Sequence, residues 1–210
     1  DIKNMATIPY NPTQFIDGGQ EVQFDIQDAY LKRVVEGLKL DNKLSIVWDC
    51  GNGVAGPVID KLIEFLSGEH EVLFSDVDGN FPNHHPDPTI EKNLEELITR
   101  VREKNADLGI AFDGDGDRIG IIDDVGNILW GDQLLAILAE DVLSEQPGAT
   151  IIGDVKASQG LFDRIAALGG KPLMWKTRHS LIKNKIKEVN APLAGEMSGH
   201  IFFNDRYYGF

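Results

Sequence analysis

The feature that most constrains this chain is an acidic loop, Asp113-Gly114-Asp115-Gly116-Asp117-Arg118, which stands between two short apolar runs. The runs, 108–112 and 119–122, suit buried strands and are too short for helices, so we expect the loop to join two strand ends. The glycines let the backbone curl until alternate side chains converge. Carboxylates held that close raise the pKa of at least one of them unless a cation neutralises the group. The loop is therefore a candidate Mg²⁺ site, with Asp113, Asp115 and Asp117 as ligands.

A magnesium site of this kind predicts a phosphorylated ligand, because Mg²⁺ takes few carboxylates and completes its shell with water or phosphate oxygens. Arg118 would then be free to bind that phosphate through two hydrogen bonds. Two simpler interpretations of the loop compete with a magnesium site. Asp and Gly also form solvated turns, since both tolerate a left-handed backbone. An EF-hand fails, because its sixth and twelfth positions need Gly and Glu, and this chain has Arg118 and Asp124 there.

The composition narrows the classes of partner. A net charge of -14 over 210 residues argues against nucleic acid or an anionic membrane surface, because both are bound by clustered Lys and Arg. The single cysteine, Cys50, cannot form an internal disulfide and predicts a reducing compartment, the cytoplasm. No stretch approaches a membrane-spanning length. The start, 1–5, resembles neither a signal peptide nor a natural initiation, so we expect a piece of a longer protein.

The chain order predicts alternating helices and strands. Residues 1–20 contain prolines and glycines without a sustained period and predict a lead-in or linker. From Phe24, apolar residues recur at helical spacing through Tyr30, Leu31 and Leu38 and predict an amphipathic helix. The later helices are expected around 94–101, 134–142, 161–168 and 181–186, and Thr89 is the expected N-cap of the first of these. The later strands are expected at 43–49, 72–74, 150–154 and 173–175.

A repeated pattern predicts two domains of related α/β architecture. Asp49 and Asp154 each close a strand before a turn that opens a helix. We place the domains at 21–125 and 126–210, meeting near Gly126. Their functional loops should gather at the carboxyl ends of the strands, where α/β sheets bind ligands.

A glycine-rich stretch, Gly51-Asn52-Gly53-Val54-Ala55-Gly56, matches the dinucleotide fingerprint, and Asp76 lies where such a site needs an acid. An NAD(P)-dependent oxidoreductase is therefore an alternative function. Two features weaken it: Asp49 and Cys50 separate the strand from the first glycine, and the acidic loop would share the same face. We expect instead a tight turn in which backbone packs on backbone.

Four further polar sites follow strand-like segments. His84 and His85 lie in a proline-rich loop, 78–88, that is expected to be structural or to border a substrate. Lys156 follows a strand end, where an ammonium group can neutralise phosphate or transfer a proton. His179 lies at a strand-to-helix junction and can act as an acid or base. The loop Gly195-Glu196-Met197-Ser198-Gly199-His200 offers donors and acceptors suited to sugar hydroxyls.

Taken together and in this order, these motifs resemble the α-D-phosphohexomutase family, in particular its bacterial phosphomannomutase/phosphoglucomutase branch, over 17–210. The acidic loop and the Gly-Glu-Met-Ser-Gly-His loop carry most of the resemblance. It implies two consecutive three-layer α/β/α domains with mixed sheets and related topology, the second and third of four. The flanking domains, which hold the phosphoserine and the phosphate clamp, are the missing partners that this resemblance implies.

The resemblance also implies a reaction. Such enzymes move a phosphoryl group between O1 and O6 of a hexose through a bisphosphorylated intermediate, and their partners are mannose or glucose 1- and 6-phosphates. Arg118, Lys156 and His179 would be catalytic, while Glu196, Ser198 and His200 would bind the sugar. Asp113, Asp115 and Asp117 would hold Mg²⁺. Without the serine domain and the clamp, the chain is expected to be inactive alone.

One position departs from the family pattern. Arg178 stands where the family usually has Gly, and Gly often serves a backbone geometry that Arg adopts reluctantly. We therefore expect a strained loop before His179. Besides the mutase and the oxidoreductase, a non-enzymatic metal-binding module remains the third hypothesis.

Overall fold

The computed structural model describes residues 20–36, 38 and 43–205, and the chain divides into two compact units, Asp1–Val34 and Val35–Phe210. The predicted lead-in, 1–20, lies outside the described residues apart from Gln20. The predicted domain boundaries at 21 and 126 stay predictions. The described part of the chain contains no helix long and apolar enough to cross a membrane.

The first described helix, α1 (Gln27–Val35), begins later than predicted. The Asp25 carboxylate accepts the Gln27 amide at 2.9 Å, so a polar turn precedes the helix. Leu31 is buried, whereas Phe24 is 78% exposed and Tyr30 is also exposed. The predicted apolar face was therefore wrong at these two aromatic positions, and also at Leu38, which is exposed and lies beyond the end of the helix.

The first sheet of the second unit is built from these elements in chain order: β1 (Leu44–Asp49), α2 (Gly56–Leu62), a 3₁₀ turn (Ile63–Phe65), β2 (Gly68–Leu73), a 3₁₀ turn (Glu91–Leu94), α3 (Glu95–Lys104), β3 (Leu108–Phe112), β4 (Ile119–Asp123) and β5 (Ile128–Leu129). The five strands form a mixed sheet in the order β2-β1-β3-β4-β5. Strand β1 pairs in parallel with β2 and β3, while β3, β4 and β5 are antiparallel.

A second mixed sheet follows, and its elements in chain order are α4 (Gly131–Glu145), β6 (Thr150–Asp154), α5 (Gln159–Ala167), β7 (Lys171–Trp175), α6 (His179–Val189), β8 (Leu193–Gly195) and β9 (Ile201–Phe203). Its strand order is β7-β6-β8-β9. Strand β6 pairs in parallel with β7 and β8, and β8 is antiparallel to β9.

Each sheet has a core on both faces, because alternate residues of a strand point to opposite sides. In the first sheet, Val47 packs with Leu97 of α3, while its neighbour Trp48 packs with Ile59 of α2. Burying a side chain of that size contributes about 1.5–3 kcal/mol.

In the second sheet, Ile151 packs with Leu135 of α4 and Ile165 of α5, and Ile152 packs with Ile182 of α6. The predicted pair of three-layer α/β/α folds is thus confirmed. The two sheets also share a topology, since β1, β2, β3 and β4 correspond to β6, β7, β8 and β9. The acidic loop and the loop 195–200, from here on the Glu196 loop, therefore occupy equivalent hairpins.

The predicted N-cap at Thr89 is wrong. The Thr89 amide and hydroxyl both donate to Asp87 Oδ1, at 3.0 and 2.7 Å. The helix begins instead through the 3₁₀ turn Glu91–Leu94, whose N-cap, Ile90, makes no side-chain hydrogen bond. Thr89 therefore orients the Asp87 carboxylate and does not cap the helix.

Candidate active site

The acidic loop joins the carboxyl end of β3 to β4, and its three aspartates converge. One carboxylate oxygen from each of Asp113, Asp115 and Asp117 lies within 4.8 Å of the others. Asp113 is 1% exposed, whereas the other two face solvent. Gly116 makes the turn possible, because its φ of +74° belongs to the left-handed region that glycine adopts without strain. This arrangement offers hard oxygen ligands to a divalent cation.

The electrostatics of the loop favour a cation. The charge of Asp113, followed by that of Asp117, raises the pKa of Asp115. Burial alone would raise the pKa of Asp113, but hydrogen bonds from Arg118 outweigh burial and hold that pKa below its usual value. A bound cation would relieve the repulsion that Asp115 experiences.

Arg118 is not free, so that expectation was wrong. Its Nε donates to Asp113 Oδ2 at 2.6 Å, and one terminal nitrogen donates to Asp87 Oδ1 at 3.1 Å. The sequence did not reveal Asp87 as a partner, because it comes from the proline-rich loop 31 residues earlier. Arg118 would have to exchange one of these carboxylates to bind a phosphate.

The Glu196 loop forms the turn between β8 and β9 and is built around a buried carboxylate. Glu196 is 3% exposed. Its Oε1 accepts the Arg178 amide at 2.6 Å, and its Oε2 lies 2.9 Å from His200 Nδ1. Ser198 Oγ lies 2.7 Å from the same ring nitrogen. Burial would raise the pKa of Glu196, but hydrogen bonds from His200 and the Arg178 amide lower it overall.

His200 links the two loops. Its Nε2 lies 3.2 Å from Asp117 Oδ2, while its other nitrogen contacts Glu196. The hydrogen bond to Glu196 is the main reason that the pKa of His200 is raised. The backbones also meet, since the Ile119 amide donates to the Gly199 carbonyl at 3.1 Å. The carboxylate cluster and the Glu196 loop are thus halves of one site.

Two predicted residues lie at the neighbouring strand ends. His179 begins α6, is exposed, and has its ring 5.9 Å from the ring of His200. Lys156 is exposed just beyond β6, and its amide donates to Asp154 Oδ1 at 3.2 Å. The structure therefore places the His179 ring beside the ring of His200, whereas Lys156 is held through its backbone.

Buried carboxylates at strand ends and in one helix first turn form a layer that sequence reasoning did not assign to the site. Asp49 is 1% exposed and lies 3.0 Å from His84 Nε2, which fixes the proline-rich loop. Asp132, in the first turn of α4, accepts the Ser158 amide at 2.9 Å. The available signal was the position of Asp49 at the end of an apolar run, which Asp154 repeats.

The glycine-rich turn does not offer a dinucleotide site. The Asn52 amide donates to the Phe74 carbonyl at 2.9 Å, and the Val54 amide donates to the Gly114 carbonyl at 3.1 Å. A Cβ on Gly53 would lie 2.8 Å from that same Gly114 oxygen. Because the turn packs backbone against backbone, these amides are not available to a pyrophosphate.

Two family models match consecutive stretches of the chain. Residues 28–126 match phosphoglucomutase/phosphomannomutase, alpha/beta/alpha domain II, and residues 130–209 match alpha/beta/alpha domain III of the same family.

Similar proteins point the same way. A phosphomannomutase/phosphoglucomutase of Pseudomonas putida is 55% identical over 192 residues, which cover 91% of this chain and 42% of that protein. A phosphoglucomutase/phosphomannomutase family protein of Burkholderia thailandensis superposes with a TM-score of 0.86 at 52% identity, over 90% of this chain and 41% of that one. The chain thus spans less than half the length of these relatives.

A more distant structure shares the fold. N-acetylphosphoglucosamine mutase of Aspergillus fumigatus, in complex with GlcNAc-6P and magnesium, superposes with a TM-score of 0.60 at 23% identity, over 83% of this chain and 36% of that one.

Proposed function

The chain belongs to the phosphoglucomutase/phosphomannomutase family, and we propose that it supplies the metal loop and the sugar loop of a phosphohexomutase acting on mannose or glucose phosphates. Such an enzyme interconverts hexose 1-phosphate and hexose 6-phosphate. The observation that carries the proposal is the contact between His200 and both Asp117 and Glu196. It joins a cluster of cation ligands to a loop of hydrogen-bonding groups.

The proposed metal ligands are Asp113, Asp115 and Asp117. Their donor set fits magnesium, since all three are hard oxygen ligands and the two exposed ones leave room for water and phosphate oxygens. Magnesium, when bound there, would neutralise charge on the transferring phosphoryl group. The magnesium complex of the Aspergillus mutase supports this choice of ion.

The sugar would lie against the other half of the site. Glu196 and Ser198 offer an acceptor and a hydroxyl for sugar hydroxyls. His200 contacts both side chains and is proposed to help bind the sugar while holding Glu196 in place.

The proposed reactive groups border these two loops. Lys156 and His179 supply positive charge and proton transfer near the reacting oxygens. Arg118 contacts phosphate once it releases Asp87 or Asp113. In the whole enzyme the phosphoryl group would pass through a phosphoserine and a bisphosphorylated intermediate, and the cytoplasm is its proposed location.

The test is calorimetric titration of this chain with Mg²⁺ and then with mannose 1-phosphate or glucose 1-phosphate. We expect Asp115→Asn to abolish metal binding, while Asp124→Asn, a matched change at an exposed neighbouring acid, leaves it intact. Glu196→Gln should weaken sugar-phosphate binding without affecting the metal.

Three results would count against the proposal. Metal binding that survives Asp115→Asn would remove the acidic loop as its site. Metal binding with equal affinity for inorganic phosphate and sugar phosphate would favour a non-enzymatic metal-binding module. Sugar binding that is unaffected by Glu196→Gln would remove the second half of the site.

A further inference from the structure

Asp154 is a buried acid that the proposed mechanism does not use. It closes β6, an internal strand of the second sheet, and is 0% exposed. Burying a carboxylate is costly unless its oxygens accept hydrogen bonds. Its partners therefore indicate why an acid occupies this position.

The two oxygens of Asp154 serve two different loops. Oδ1 accepts the backbone amide of Lys156 at 3.2 Å, within the turn that follows β6. Oδ2 accepts the Thr177 hydroxyl at 3.1 Å, within the segment that follows β7. One buried side chain thus ties together the segments that carry Lys156 and His179.

Both tethered segments hold their functional side chains in solvent. Lys156 and His179 are exposed, so the backbone beneath them largely determines where they stand. The Lys156 turn is also held at its other end, where the Ser158 amide donates to buried Asp132 at 2.9 Å. Asp154 is the link between this turn and the His179 segment.

We propose that Asp154 is a positioning residue, which sets the distance between Lys156 and His179 by tethering both of their segments to the end of β6. The inference rests on the proposed function, since it concerns the placement of that site's proton-transferring groups. Misplacing a catalytic group by about 1 Å can cost about 100-fold in rate. Loss of this tether should therefore impair the function of the site.

Three variants distinguish a tethering role of Asp154, through its two hydrogen bonds, from a role in burial alone. Thr177→Val removes one hydroxyl and breaks only the link to the His179 segment. Asp154→Ala breaks both links. Asp154→Asn keeps them, because its amide oxygen accepts the Lys156 amide and its NH₂ group donates to the Thr177 hydroxyl. Thr150→Val, at the opposite end of the same strand, is the matched control.

The first readout is hydrogen exchange at the Arg178 amide, which donates to Glu196 and not to Asp154. Thr177→Val and Asp154→Ala should accelerate this exchange about 10-fold or more through local opening of the segment. Asp154→Asn and Thr150→Val should leave it at the parent rate. If Asp154→Ala does not fold, Thr177→Val decides alone.

The second readout is mannose 1-phosphate affinity in the presence of Mg²⁺. We expect a loss of about 10-fold in Thr177→Val and recovery in Asp154→Asn. Unchanged exchange and affinity in a folded Thr177→Val chain would overturn the proposal, as would Asp154→Asn behaving like Asp154→Ala. If the parent chain binds no sugar phosphate, the proposed function fails and the exchange data still test the tether.

Discussion

Replacing Arg178 with glycine should stabilise this protein. Arg178 immediately precedes α6 and has φ of 119° and ψ of 123°, a region that side chains with a Cβ rarely adopt. The same residue donates its amide to Glu196 Oε1 at 2.6 Å. The strain is therefore held in place by a bond to a buried group of the site.

The gain follows from two opposing contributions. Relieving a residue from a sparsely populated backbone region recovers about 1–3 kcal/mol. Glycine itself lowers the stability by about 0.5–1 kcal/mol, because it makes the unfolded chain more flexible. The net stabilisation of Arg178→Gly is then about 1 kcal/mol. For a chain of this size, that raises the melting temperature by about 2–4 °C.

Thermal denaturation of the parent, Arg178→Gly and two control variants shows whether backbone strain at Arg178 is the cause of the stabilisation. Arg178→Ala removes the charge but keeps the Cβ, so it should gain nothing. Lys176→Gly changes an exposed neighbour whose φ is not positive, and it should lower the stability. A melting temperature of Arg178→Gly at or below that of the parent would refute the strain argument, as would an equal gain in Arg178→Ala.

Three further predictions concern the half-buried His84 and the buried residues Gly53 and Cys50. The pKa of His84 is raised, chiefly by its hydrogen bond to Asp49, so its charged form stabilises the fold below about pH 6.5 and this contribution is lost as pH rises through the folded pKa. His84→Gln should lower the free energy of unfolding by about 1–3 kcal/mol at pH 5. Urea titrations should show a smaller difference from the parent at pH 9. Gly53→Ala should cost about 1–3 kcal/mol and weaken Mg²⁺ binding, whereas Gly79→Ala, whose Cβ would meet nothing within 4 Å, should be neutral in both assays. Burial, assisted by nearby acids, raises the pKa of Cys50 to about 12, so an aromatic disulfide reagent at pH 8 should label it only after unfolding.

The local part of the site could be predicted because its residues are consecutive. Asp113, Asp115 and Asp117 alternate with glycines between two apolar runs, and a short hairpin loop leaves these side chains few ways to diverge. The same holds for Glu196 and Ser198 on the second hairpin. Their convergence within each loop follows from sequence spacing alone.

Contacts between distant segments could not be read in this way. Arg118 is held by Asp87 because the proline-rich loop, itself tied to Asp49 through His84, brings that carboxylate to the acidic loop. The sequence marked 78–88 as a stiff polar loop but carried no sign of where it packs. The expectation of a free arginine failed for this reason.

The equivalence of the two hairpins explains why the proposed metal ligands and the proposed sugar ligands form one cluster. The β3–β4 and β8–β9 hairpins hold the same place in their sheets, and their loops meet backbone to backbone where a Cβ on Gly199 would lie 2.5 Å from the Ile119 carbonyl oxygen. Only a residue without a side chain permits that approach. His200, the next residue, can then reach Asp117 while it remains bonded to Glu196. Gly199 and His200 thus act together: the glycine sets the distance between the loops, and the histidine joins their carboxylates.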